Sequence, residues 1–210
     1  YALSTENFSR PQKELEGLFD LIRKHFVPCM REIAERKARV RVIGDLSLFP
    51  KDVQELLVKA QEDSAMYEGK GVNVALGYGS RAEIARAASL AAEKARQENR
   101  EVTEKDISDH LYTAGMPDPD LIIRTGKEVR LSNFLLWQSA YAELYFSDKM
   151  FPDFTDRDLD EAIIEYANRT RRFGKTDEQC KTDETGEILG AAKQAAKQAE
   201  NEALTQEKGE

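Results

Sequence analysis

The chain has 210 residues, of which 33% are charged and 40% hydrophobic, with a net charge of −8. That length suits a single domain with a proper core, the composition is that of a soluble globular protein, and the acidic balance argues against a nucleic-acid binder. No apolar run nears the ~20 residues needed to span a bilayer, no signal peptide is visible, and Cys29 and Cys180 fit no metal-ligand pattern, so a reduced, cytoplasmic protein is expected.

Tyr1-Ala2-Leu3-Ser4 reads as the end of a strand, and the chain is expected to be truncated at its N-terminus. Ser9-Arg10-Pro11-Gln12 fits a capping box, with Ser9 as cap and Gln12 reaching back. The helix it opens carries Leu15, Leu18, Phe19, Ile22, Phe26, Cys29, Met30 and Ile33 on a 3.6-residue stripe, and Pro28 should kink it. His25 and His110 fall on helical segments and read as surface or boundary residues.

Residues 38–43 are strand-like and end on Gly44-Asp45. Pro50 starts a helix with Val53, Leu56, Leu57 and Ala60 on one face, closed by Gly69 or Gly71. Residues 72–76 form a second strand, ending in Gly77-Tyr78-Gly79. Ser80-Arg81-Ala82-Glu83 then reads as a capping box for an Ala-rich helix to about Glu98. Thr103 and Asp106 cap a short helix to Tyr112, and Thr155 and Asp158 cap a last core helix carrying Leu159, Ala162, Ile163 and Tyr166. Strands alternating with helices imply an α/β fold: a mostly parallel central sheet covered by helices on both faces. From Lys175 the composition shifts to Ala, Gln, Lys, Glu and Thr, so residues 1–174 are read as one domain and 175–210 as a flexible polar tail. That tail holds 5 basic and 9 acidic side chains, half of the net charge.

Residues 117–146 concentrate the candidate chemistry. After the turn Pro117-Asp118-Pro119, the apolar strand Leu121-Ile122-Ile123 releases into a loop that offers Arg124, Lys127, Arg130 and Ser132. Guanidiniums grip phosphate oxygens in a fork and a hydroxyl adds a bond. Phe134-Leu135-Leu136-Trp137 supplies an apolar wall, and Glu143 precedes a second strand-like run, Leu144-Tyr145-Phe146. Such a set suits a ligand with a charged head and an apolar tail; a solvated turn between two core elements explains the residue types equally well.

The stretch RTGKEVRLSNFLLWQSAYAELYF closely resembles the signature region of the cis-prenyltransferases of the undecaprenyl diphosphate synthase kind. YALSTENFSRP, RVIGDLS, VNVALGYGSRAEI and RRFG resemble four further blocks, in the family's order, over about residues 1–174. The resemblance implies condensation of isopentenyl diphosphate with an allylic diphosphate such as farnesyl diphosphate, giving a polyprenyl diphosphate such as undecaprenyl diphosphate. It implies Mg²⁺ with Glu143 as a ligand, and a diphosphate grip by Arg124, Arg130 and Ser132. Ser4, Asn7, Arg10 and Glu14 would surround the reacting ends, with Asn7 the catalytic candidate, and Phe8 would pack near the allylic substrate. The long apolar helix would line the product tunnel; by residue pattern alone it is core. Arg172 and Gly174 match a motif that reaches the neighbour's site in a homodimer. The product lipid implies contact with the inner face of a membrane. Without the resemblance, Arg10 and Glu14 read as a helix pair worth only ~0.3 kcal/mol and Arg172 as a helix-end cation.

Three departures from the family pattern stand out. The family's Asp-Gly-Asn block, with its principal Mg²⁺ ligand, has no counterpart, so little activity is expected of this chain alone. Val129 stands where many members have a metal-contacting His, and Lys127 and Gly77 replace a Gly and an Asn. Two further readings compete with the enzyme: a non-catalytic subunit of the same fold that binds a catalytic partner, and a lipid-diphosphate carrier.

Overall fold

The computed structural model describes residues 1–169, and within them the chain forms two compact units. The first unit comprises Tyr1–Pro117 with Leu131–Trp137, and the second comprises Asp118–Arg130 and, among the described residues, 138–169.

The first unit is built on a three-stranded parallel sheet. Strand β1 (Leu3–Ser4) and strand β2 (Arg39–Ile43) flank β3 (Gly71–Tyr78), with Leu3 beside Leu76 and Val42 beside Val74. Two amides of the outer strand β2 find partners on helix α3 (Lys51–Ser64): Val40 N–H donates to Ser64 Oγ at 2.9 Å and Val42 N–H to Gln61 Oε1 at 2.9 Å. A covered edge cannot template further strands.

The long apolar helix runs as α1 (Gln12–Leu21), a π-helical turn (Ile22–Phe26) and α2 (Val27–Glu35). The irregularity sits where Pro28 removes a backbone donor, as expected. Leu15, Phe19, Phe26 and Met30 from the stripe join Leu3, Val40, Phe49, Val53, Leu57 and Leu76 in one core, with Leu18, Ile22 and Ile33 at its margin. Cys29, expected on the stripe, is exposed.

Helix α4 (Ser80–Gln97) buries Ala87, Ala91 and Ala95, and α5 (Glu104–Ser108) is shorter than the expected run to Tyr112. Its cap is as read: Thr103 N–H donates to Asp106 Oδ2 at 2.9 Å, and Asp106 N–H donates back to Thr103 Oγ1 at 3.2 Å. Helix α3 ends at Ser64, ahead of Gly69, and Gly71 opens β3.

Two expected capping boxes do not form. Ser9 ends a 3₁₀ turn (Thr5–Ser9) and donates its hydroxyl back to Glu6 O, while α1 starts behind Pro11 and Gln12 bonds forward to Glu16 at 2.8 Å. At α4 the cap position belongs to Gly79. Ser80 Oγ accepts Leu136 N–H at 2.9 Å, and Glu83 accepts Tyr112 N–H at 2.7 Å and the Tyr78 hydroxyl.

The second unit pairs β4 (Leu121–Arg124) with β5 (Glu143–Phe146), again parallel, with α6 (Asp156–Asn168) against β5. The expected parallel α/β arrangement therefore holds, with the ladder falling into two sheets. The Thr155 cap of α6 forms, with Thr155 N–H donating to Asp158 Oδ2 at 2.8 Å. Leu159 and Ile163 are exposed rather than core, and the buried face of α6 is Asp158, Ala162 and Ala167.

Candidate active site

The candidate residues of the first unit gather at the C-terminal ends of β1 and β3. Ser4 closes β1, and its N–H donates to Asn7 Oδ1 at 2.8 Å, which fixes the Asn7 side chain within the 3₁₀ turn. Arg10 ends that turn with its N–H on Asn7 O at 3.0 Å. Arg10 and Glu14 are both exposed. Phe8 points the other way in chemical terms: it meets Phe49 edge-on at 5.1 Å and lies 6.2 Å from Phe19, at the margin of the core.

Ser132 lies on a loop in an unusual backbone state. Ser132, Asn133 and Leu135 all have positive φ, at 49°, 62° and 45°. Only Asn among these visits that region readily, so the loop is held by its partners. Asn133 O accepts Ser80 N–H at 2.8 Å, Asn133 Oδ1 accepts Arg81 N–H at 2.8 Å, and Asn133 Nδ2 donates to Glu6 Oε1 at 2.7 Å. The Glu6 carboxyl is held below its ordinary range by its own backbone N–H and by Asn133. A cavity of about 350 Å³ opens here, lined by Glu6, Arg81, Leu131, Ser132, Asn133 and Leu136. Tyr1 stacks on Phe134 at 4.7 Å, and beneath them the Tyr78 hydroxyl reaches Glu83, which is 1% exposed. Burial, then Glu83, pushes the Tyr78 phenol well above its usual range. Glu6, Arg81, Glu83 and Asn133 escaped the sequence reading of the site. Glu6 and Asn133 sit next to Asn7 and Ser132, and that adjacency was the available signal.

Gly77 at the end of β3 has φ +60°, a region open to Asn as well as Gly. A Cβ at this position would meet Asp45 O at 2.8 Å, so the backbone here is fitted to Gly. Lys127 is a different matter: it holds φ +64° where the family carries Gly, a conformation that costs a side-chain residue about 1 kcal/mol.

Arg124, Arg130 and Glu143 belong to the second unit. Arg124 ends β4, half-buried, and its carbonyl accepts Ser147 N–H at 2.7 Å. Arg130 is exposed and paired with Glu128. Glu143 starts β5, half-buried, and accepts Arg169 Nη1 at 2.9 Å. Glu165 and Glu143 together raise the Arg169 guanidinium pKa. Among the described residues no three His, Cys, Asp or Glu side chains converge as a metal cluster. Glu143 offers one carboxylate, which fits the way Mg²⁺ binds one or two carboxylates and completes its shell with phosphate oxygens and water. Val129, where a His is common, is 76% exposed. Arg172 and Gly174 lie outside the described residues. Among those described, no helix is long and apolar enough to cross a membrane.

The parallel α/β units and the loop bearing Arg124 and Arg130 leave the ligand open, and comparison with known proteins gives the family. Residues 1–174 match the Prenyltransf family model, the undecaprenyl diphosphate synthase family. An isoprenyl transferase of Listeria monocytogenes serotype 4b is 45% identical over 177 residues, covering 83% of this chain and 70% of the relative. A tritrans,polycis-undecaprenyl-diphosphate synthase (geranylgeranyl-diphosphate specific) of Methanocaldococcus jannaschii is 44% identical, covering 83% and 65%. Among solved structures, a probable undecaprenyl diphosphate synthase from Campylobacter jejuni superposes with a TM-score of 0.73 at 38% identity, covering 83% of this chain and 81% of that one. Lavandulyl diphosphate synthase from Lavandula x intermedia, in complex with dimethylallyl diphosphate, gives 0.75 at 34% identity, covering 83% and 77%. These relatives are prenyltransferases. The chain belongs to the undecaprenyl diphosphate synthase family.

Proposed function

We propose that this protein elongates a prenyl chain in cis, joining isopentenyl diphosphate to an allylic diphosphate. The observation that carries the reading is the bond network joining the Thr5–Ser9 turn, with Asn7, to the loop with Ser132 beside a cavity. In the reaction the allylic C–O bond breaks, a C–C bond forms and a proton leaves C2 of isopentenyl diphosphate. Arg124, Arg130 and Ser132 hold the diphosphate of isopentenyl diphosphate, the two guanidiniums countering its charge. Asn7, its amide oxygen anchored on Ser4 N–H, positions the acceptor of the departing proton, with Ser4, Arg10 and Glu14 around the reacting ends. Phe8 and the apolar helix provide the wall for the growing tail. Glu143 would hold a Mg²⁺, whose charge would offset that of the leaving diphosphate. The active assembly is a homodimer in which Arg172 and Gly174 serve the neighbour's site. The product lipid brings the protein to a membrane surface.

Calorimetric titration with isopentenyl diphosphate tests the diphosphate grip. Arg130→Ala should lose a charge-assisted bond of about 1.5–3 kcal/mol, roughly one to two decades of affinity. Arg130→Lys should recover only part of it, because a point charge cannot reproduce the guanidinium fork. Arg130 is exposed, so the melting temperature should stay constant. Unchanged affinity in Arg130→Ala would remove the loop from the substrate site.

A further inference from the structure

The geometry points to Asn133 as a positioning residue that locks the turn bearing Asn7 to the loop bearing Ser132. It touches neither substrate nor metal in this role. The inference rests on the reading of Ser132 and Asn7 given above and adds the device that keeps them in register.

Asn133 makes three bonds to two other segments, the start of α4 and the Thr5–Ser9 turn. Its carbonyl and Oδ1 take the first two N–H groups of α4, from Ser80 and Arg81, each at 2.8 Å. Because Arg81 N–H can only donate, Oδ1 must face it, and Nδ2 is left to face the Glu6 carboxylate at 2.7 Å. A helix cap alone needs only acceptors, and Asp or Ser would serve. The Nδ2 bond to Glu6 is the part a cap does not require. Space around the contact is tight as well: a Cβ on Gly79 would meet Thr5 Oγ1 at 2.4 Å and Asn133 Nδ2 at 2.9 Å. The turn and the loop therefore pack across a residue that has no side chain to separate them. The left-handed φ of 49° at Ser132 and 45° at Leu135, on either side of Asn133, places strain in the loop that these bonds hold in place.

The test separates cap from brace. Asn133→Asp keeps both acceptors for α4 but sets a second carboxylate against Glu6. In the full chain, amide exchange over residues 4–10 should quicken about tenfold and isopentenyl diphosphate affinity should fall about tenfold. Exchange within α4 should stay as it is. Adding Glu6→Gln to Asn133→Asp should restore both readouts to within about threefold, since the Gln amide now donates to the Asp. Glu6→Ala, made on an exposed residue, breaks the same contact from the other side and should loosen the same amides. Wild-type exchange at residues 4–10 in both Asn133→Asp and Glu6→Ala would overturn the inference, as would failure of Glu6→Gln to rescue. Ser132→Ala, titrated in parallel, tests the underlying reading. If it binds like wild type, the diphosphate assignment falls while the exchange data still report on the brace. If it binds weakly and the exchange data are flat, the brace falls and the assignment stands.

Discussion

The two units hold their candidate residues by different physics. In the first, the polar groups near the cavity are locked by neutral or singly charged hydrogen bonds to backbone: Asn7 to Ser4, Asn133 to Ser80 and Arg81, Glu83 to Tyr112. In the second, cations and anions pair with each other at or near the surface: Arg130 with Glu128, Arg169 with Glu143 and Glu165, Lys149 with Asp158. Backbone-anchored groups keep their geometry with or without a ligand. Side-chain ion pairs are soft, salt-sensitive and exchangeable. On the proposed function, a diphosphate arriving at Arg130 would displace a surface carboxylate at little cost.

The comparison breaks first, and by the largest margin, at Glu83. Glu83→Ala would leave the buried Tyr78 hydroxyl and the Tyr112 amide without their acceptor. At about 1–3 kcal/mol for each such group, a loss near ~3 kcal/mol is expected, or a fall of about 6–12 °C in melting temperature for a chain of this size. That fall should be insensitive to salt. A change below about 2 °C would mean the first unit is not held by this network. Arg169→Ala probes the other side with a smaller effect. It removes two carboxylate partners at once, yet surface pairs contribute less than about 1 kcal/mol each. The ion-pair share of the loss should vanish near ~1 M salt, where screening acts within ~3 Å, leaving the smaller share of the Arg169 Nη1 bond to Leu144 O at 2.9 Å. A loss undiminished there, by urea unfolding, would place Arg169 wholly among the rigid contacts instead.

The same contrast explains what the sequence could tell. The parallel α/β pattern was legible because strand and helix periodicities alternate cleanly, and the Pro28 break was legible because proline lacks a donor. Of the four capping boxes read from spacing, Thr103/Asp106 and Thr155/Asp158 form. The two that do not, at Ser9 and Ser80, flank the candidate site. There Ser80 and Glu83 spend their side chains on Leu136, Tyr78 and Tyr112, residues distant in sequence or across the strand end. Local spacing cannot reveal a tertiary partner that outbids a local one. Leu159 and Ile163 fit the helical stripe of α6, but their exposure follows from what packs on α6, which no local pattern encodes. Glu6 and Asn133 were passed over because their roles depend on meeting each other across 127 residues.

The smallest effect concerns Lys149 and sharpens the comparison through pH. Lys149 Nζ lies 2.5 Å from Asp158 Oδ1, and Thr155 supplies the remaining bonds to that carboxylate. Lys149 first, then the Thr155 N–H and hydroxyl, lower the Asp158 pKa from 3.8 to about 2. A carboxyl depressed in the folded state binds fewer protons there than in the unfolded chain, so stability rises with pH through this window. Its contribution is complete above about 4 and is lost as pH falls from 3.8 toward 2. Lys149→Ala removes the largest cause, leaves the Thr155 cap, and should narrow the window from its acid side. Urea unfolding at stepped pH should then give a modest wild-type advantage at pH 5 to 7 that shrinks steadily below pH 4. Asp158→Asn should abolish that pH dependence in both backgrounds. An advantage that stays constant down to pH 2 would mean that Lys149 acts through its aliphatic stem rather than its charge, and the soft, charge-paired character assigned to the second unit would lose its clearest example.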